Sequence, residues 1–172
     1  MKIVRVYDAS SIQRGIDCLT AEFINEYPYY KTWIEKNAET FVNGSRVIYE
    51  LRDSDAIVGY MMVNIASSKF VKLNGIHVLP EYQKRGYAKS AIQQLIDELR
   101  DQNYEYVYVQ TRLHNAIVVH MFEILHFYVI GTNYHSIEAQ SNWVAVFDLQ
   151  NKKNMQEMLD LAADTYPGFK PN

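Results

Sequence analysis

The sequence predicts one α+β domain in which helices flank a mixed, mostly antiparallel central sheet. Three observations carry that prediction. Strand-like alternations and helical apolar periods follow one another along the chain without any repeating unit. The 172 residues are enough for one domain with a core and few for two. No Ser/Gly linker and no block of like charge interrupts them. Residues 1–172 are therefore read as a single domain, with core elements over roughly 46–149 and a C-terminal helix within 152–165.

Residues 2–7 alternate and are rich in β-branched side chains, which predicts a strand. Asp8, Ser10 and Ser11 can cap a helix, and Ile12, Ile16, Leu19 and Phe23 then recur at helical spacing. Pro28 demands a break or bend near Tyr27. A second helix is expected over 33–41. Residues 46–51 and 56–65 read as a hairpin around the turn Asp53, Ser54, Asp55. A strand over 71–79 stops at Pro80. Ala88, Ala91, Ile92, Leu95, Ile96 and Leu99 line one face of a helix over 87–99. A strand over 104–110, a helix over 115–125, and strands over 127–131 and 143–149 follow. Met155, Met158, Leu159 and Ala162 share one face of a final helix over 154–163.

Composition narrows the partners. The formal net charge is −3, without the basic balance of a nucleic-acid-binding domain. No stretch approaches the roughly 20 apolar residues of a membrane span, and MKIVRVYDAS lacks the apolar run of a secretory leader. The lone Cys18 excludes an intrachain disulfide and reads as a buried structural thiol. The expectation is a cytoplasmic protein with no nucleic acid, membrane or metal among its partners.

The chemistry concentrates in residues 76–89, IHVLPEYQKRGYAK. A strand runs through a turn with one glycine directly into a helix. The first amides of a helix have no intrahelical acceptor, and the helix dipole adds partial positive charge there. Such a turn binds anions, phosphate above all. Gly86 permits close approach of the backbone, and Lys84 and Arg85 add charge at the rim. The G-x-G-x-x-G and G-x-x-x-x-G-K-[ST] patterns are absent, which argues against NAD and ATP.

This segment resembles motif A of the GNAT superfamily of N-acetyltransferases, V-x-P-x-x-(Q/R)-x-x-G-x-(G/A), with Val78, Pro80, Gln83, Gly86 and Ala88 at the anchors. The order of elements over 46–149 is similar as well. The resemblance implies a GNAT-like sheet splayed at the motif A strand by a bulge, and acetyl-CoA as co-substrate. It implies that the backbone of Ile76, His77 and Val78 pairs with the pantetheine arm. The amides of Gln83, Lys84, Arg85, Gly86, Tyr87, Ala88 and Lys89 would hold the pyrophosphate. Asn115 matches an Asn that contacts CoA in relatives; a helix N-cap is the alternative, and the two are compatible. Phe122 falls on the cofactor-side position where relatives commonly carry a proton-donating Tyr, and His126-Phe127 replaces their Gly-Phe pair.

The implied reaction moves an acetyl group from acetyl-CoA to a primary amine of a small molecule or peptide, by direct attack in a ternary complex. The backbone amide of Val78 would be the oxyanion donor. His77, Glu50 and a water chain are alternative bases. Lys72 stands where the histone-acetylating branch carries Glu. With Phe122 unable to donate a proton, water, His120, Tyr128 and Tyr134 are the alternatives. The other reading is a catalytically weak or non-catalytic CoA-binding regulatory domain. Tyr27, Tyr29, Tyr30 and Trp33 with Glu22 and Glu26 read either as an aromatic, acidic wall for an amine or as core packing, and Tyr134 and His135 are expected in the same region. The family also suggests a possible homodimer.

Overall fold

The structure is a computed structural model that describes residues 1–135 and 140–172. The side chain of His135 lies outside the described residues. The alternating segments become strands β1 (Lys2–Arg5), β2 (Arg46–Asp53), β3 (Ala56–Ile65) and β4 (Phe70–Val78), paired antiparallel in chain order. β5 (Tyr106–Arg112) lies parallel to β4. A parallel pair needs a crossover connection, and α4 (Tyr87–Asp101) supplies it. β6 (Tyr128–His135), β7 (Gln140–Asp148) and β8 (Phe169–Pro171) complete the sheet in the order β1-β2-β3-β4-β5-β7-β6-β8. The short β8, which the sequence pattern does not announce, pairs with β6 at the edge.

α1 (Ala9–Phe23) starts where expected because the Asp8 carboxylate accepts from the Ser11 amide at 2.8 Å and from the Ser10 hydroxyl at 2.7 Å. The helix expected over 33–41 is instead two, α2 (Tyr30–Lys36) and α3 (Ala38–Val42). Asn37 divides them. Its side-chain amide donates to the Trp33 carbonyl at 2.7 Å, the acceptor its own backbone amide would use in a continuing helix, and that amide turns to Ile34. α5 (Ala116–Ile124) and α6 (Met155–Thr165) complete the helices among the described residues.

The two faces of the sheet are covered differently. On one face, Val47, Leu51, Met61, Val71, Val107 and their neighbours pack under Ile92, Leu95, Ile96 and Leu99 of α4 and Phe122 of α5. The other face is shared. α1 and α2 cover Ile48, Tyr60 and Met62 through Leu19, Tyr30 and Ile34. α6 covers Tyr106, Tyr108, Ile130 and Val144 through Met158 and Ala162, with Tyr166 just beyond its end.

The seam between these covers follows β4 and β5. The strands pair only from Phe70↔Tyr106 to Leu73↔Val109 and then separate. Across β3, Val63 faces Leu73 and Met62 faces Gly75, so Asn74 is the extra residue of a bulge. A bulge bends its strand and increases its twist, and β4 leaves β5 at that point. Gly75 is needed there, since a Cβ would sit 2.8 Å from the Phe23 ring of α1.

Candidate active site

The end of β4 builds the first half of the site. The Leu79 amide donates to the Val58 carbonyl of β3 at 2.9 Å. Alternate residues of a strand turn their amides to opposite sides. The amides of Val78 and Ile76 therefore face away from β3, toward the gap that β5 has left. The Gln83 side chain donates to the Val78 carbonyl at 2.9 Å and so pins the turn to the strand end. Pro80–Tyr82 form a single 3-10 turn, and the chain then reverses through Lys84 at φ +62° and Gly86 at φ +81°.

Gly86 is the N-cap of α4, and no side chain caps that helix. The amides that open α4 thus point outward unsatisfied, beside exposed Lys84, Arg85 and Lys89. Arg85 is tied to the Glu81 carbonyl at 3.0 Å and leans over the Tyr82 ring at 5.7 Å. The Tyr87 hydroxyl donates to Asp53, joining the hairpin turn to the start of α4. That bond raises the Tyr87 hydroxyl above its ordinary pKa and lowers the Asp53 carboxyl below its own. Open amides, a left-handed glycine and strand amides aimed into a gap fit an extended thiol cofactor that ends in a pyrophosphate.

The second half faces α1. His77 is 8% exposed, and its Nδ1 lies 3.5 Å from the Glu22 carboxylate. The carboxylate thus holds one ring nitrogen, which sets the ring orientation and leaves Nε2 as the other proton site. Cys18, half-buried on the same helix, has its thiol pKa pushed up by burial and then by Glu22. Glu50 is brought to this face but is 1% exposed and committed elsewhere. Arg52 donates to it through Nε at 2.8 Å, and Arg14 lies 3.8 Å away.

Other expected residues stand apart. Tyr134 is 50% exposed on β6, with β5 and β7 between it and β4. Three strand spacings make that about 14 Å. His120 is exposed and pairs with Glu123 of its own helix at 3.7 Å, and Tyr128 is exposed on β6. Phe122 is buried, its ring 5.1 Å from that of Phe127. Asn115 is the N-cap of α5, accepting from the Val118 amide at 3.3 Å.

Of the aromatic residues expected near α2, Tyr27, Tyr30 and Trp33 pack in the core cluster under α1 and α2, while Tyr29 is exposed, and the charges around them differ from those expected. Phe23, Tyr27, Tyr30 and Trp33 form a contiguous edge-to-face and tilted group. Guanidinium groups stack on two of these rings, Arg46 on Trp33 at 4.3 Å and Arg112 on Tyr27 at 4.0 Å. Glu22 faces His77 instead, and Glu26 contributes its carbonyl, which accepts from Arg112 at 2.9 Å. Sequence reasoning missed Arg46 and the Glu22–His77 contact. The only signal for the latter was a carboxylate in the last turns of α1.

The fold and this site define a class: α+β domains with a strand splayed over a helix-N-terminal anion turn. Comparison with known proteins gives the family. The sequence profile of the Acetyltransferase (GNAT) family matches residues 12–127, and the chain belongs to that family. No curated protein matches by sequence. Among solved structures, the ribosomal-protein-S18-alanine N-acetyltransferase of Escherichia coli is 16% identical with a TM-score of 0.67, covering 88% of this chain and 96% of that one. Spermidine N-acetyltransferase of Vibrio cholerae, in complex with CoA and spermine, is 13% identical with a TM-score of 0.69, covering 86% and 94%. A GNAT family acetyltransferase of Elizabethkingia anophelis with acetyl-CoA bound is 12% identical with a TM-score of 0.65, covering 85% and 96%. These likenesses establish a shared fold.

Proposed function

We propose that this protein transfers the acetyl group of acetyl-CoA to a primary amine. The observation that carries the reading is the separation of β4 from β5 beyond Leu73, which opens onto the uncapped amides of α4. Ile76 and Val78 would pair through their backbone with the pantetheine arm, the His77 amide being turned to β3 instead, and the amides from Gln83 to Lys89 would hold the pyrophosphate. The thioester supplies an activated acyl carbon. The Val78 amide, directed into the gap, stabilises the oxygen charge that develops as the amine attacks. His77, oriented by Glu22, takes the proton of the ammonium so that the neutral amine forms the C–N bond; the tetrahedral intermediate then breaks its C–S bond and expels CoA as the thiolate, which takes its proton from water. Holding both reactants in one cleft contributes the remainder through proximity.

The test is to incubate the protein with acetyl-CoA and a panel of primary amines and follow thiol release. Release that depends on both the amine and His77 supports the reading. A second reading, a CoA-binding domain with little turnover, is favoured by one observation: the position that offers relatives a proton donor is a buried Phe122. Stabilisation of the fold by CoA with no thiol release on any amine would select that reading.

A further inference from the structure

The sheet face that α1, α2 and α6 share holds a charge pattern that acetyl transfer by itself does not require. Arg46, Asn64, Lys72 and Tyr108 occupy one register row across β2, β3, β4 and β5. Arg46 is 8% exposed, stacked on Trp33, with Nη1 donating to the Thr40 hydroxyl at 2.8 Å. The Lys72 ammonium lies 4.2 Å from the centre of the Tyr166 ring. Among the described residues, neither cation has a carboxylate within salt-bridge distance. The carboxylates of the same region are engaged: Glu22 with His77, and Glu50 with Arg52.

Around the two cations, several buried polar atoms lack a hydrogen-bond partner among the described residues. They are the hydroxyls of Tyr30 and Tyr166, Nε of Arg46 and the side-chain oxygen of Asn74. Two unpaired cations beside orphaned hydroxyls form a costly arrangement, since buried charge is ordinarily paired. Asn74 is the bulge residue, and Lys72 precedes it by two positions, about 7 Å along the strand. The cluster therefore adjoins the point where β4 opens. Burial, and then the neighbouring Arg46, push the Lys72 ammonium down to about 8, the direction expected of a cation that lacks a counter-charge.

We propose that the acceptor amine also carries an anionic oxygen group, a carboxylate or a phosphate, which Arg46 and Lys72 receive with the Tyr30 and Tyr166 hydroxyls. The inference rests on the acetyl-transfer reading and names the substrate class for it. It also separates this chain from any enzyme for polycationic amines. A second positive charge on the acceptor would meet two unneutralised cations here.

The experiment uses the whole chain at saturating acetyl-CoA and follows thiol release with matched acceptors. These are an α-amino acid and its amide, an aminoalkyl phosphate and the parent amino alcohol, and a polyamine. The anion-bearing member of a pair is expected to be favoured at least ten-fold in kcat/KM, and the two pairs show whether carboxylate or phosphate is preferred. Lys72→Met, similar in length and free of the buried charge, is expected to erase most of that preference through KM. Equal use of neutral or polycationic amines overturns the proposal, as does a preference that survives in the Arg46→Met, Lys72→Met double variant. If no amine releases thiol, acetyl transfer itself fails, and the anion site is read separately. A heat shift of the CoA-loaded protein by an N-acetylamino acid or an N-acetylaminoalkyl phosphate that Lys72→Met abolishes supports the site. Absence of any such shift overturns it.

Discussion

Lys72→Met offers a direct measure of the charge imbalance on the acceptor face. In the folded protein, burial and the nearby Arg46 hold the Lys72 pKa at about 8 against an ordinary 10.5. A displacement of that size corresponds to roughly 3 kcal/mol, and solvent screening of the half-buried side chain reduces it to about 2. Methionine also gives up the contact with the Tyr166 ring, worth about 1 kcal/mol. The net expectation at pH 7 is a variant more stable than the parent by about 1 kcal/mol. The sign with pH follows from proton binding. Below about 8 the side chain is charged in both states, and the full burial cost is present. Between about 8 and 10.5 the folded form releases its proton first, so the parent gains stability as pH rises and the advantage of methionine shrinks. Urea unfolding of both proteins at pH 7 and at intervals up to pH 10.5 measures this. An advantage that stays constant over that range, or a variant less stable than the parent at pH 7, would refute the assignment of Lys72 as an uncompensated buried cation.

Four further outcomes are expected. His77→Gln should lower kcat for the best amine by 10²–10³-fold with CoA-induced heat stabilisation unchanged, and Glu22→Gln should lower it by about ten-fold; steady-state kinetics with a melting curve separate the two effects. Gly86→Ala meets no atom within 4 Å but must hold φ at +81°. It should cost about 1 kcal/mol of stability and reduce the CoA-induced heat shift, both read in one thermal titration. Asn115→Ala removes the cap on the Val118 amide and should cost about 1 kcal/mol in urea unfolding. A loss of CoA affinity beyond that would show that the same side chain also reaches the cofactor.

The donor half of the site was legible because its parts are contiguous. Val78, Pro80, Gln83, Gly86 and Ala88 fall within one strand, turn and helix start, and each has a local reason to be there. The acceptor half was not, because pairing register assembles it. Glu22 and His77 are far apart in sequence and meet because α1 crosses the bulged end of β4. Arg46 and Lys72 share a row only through the two intervening pairings with Asn64. Tyr134 stands apart from His77 and Val78 for a related reason. Chain order suggests that it closes on the cleft, but β7 enters the sheet between β5 and β6 and carries it outward. The expectation of one helix over 33–41 missed a side-chain effect: Asn37 can occupy a backbone acceptor that helical periodicity assumes is available.

This division has a physical cause that bears on specificity. The proposed donor half would work through main-chain groups: amides at the start of α4, amides of Ile76 and Val78, and a left-handed glycine. Such a site constrains few side chains, so a short motif suffices to mark it even at 12–16% identity to solved relatives. The proposed acceptor half would work through side chains on the sheet face that α1, α2 and α6 share. The bulge at Asn74, where β4 leaves β5, lies in the strand backbone and not among those side chains. In this chain the position two residues before the bulge is a lysine with no acidic partner among the described residues. A carboxylate at that position would attract an amine and help deprotonate it. A cation there repels the amine, unless the acceptor brings its own negative charge to that end.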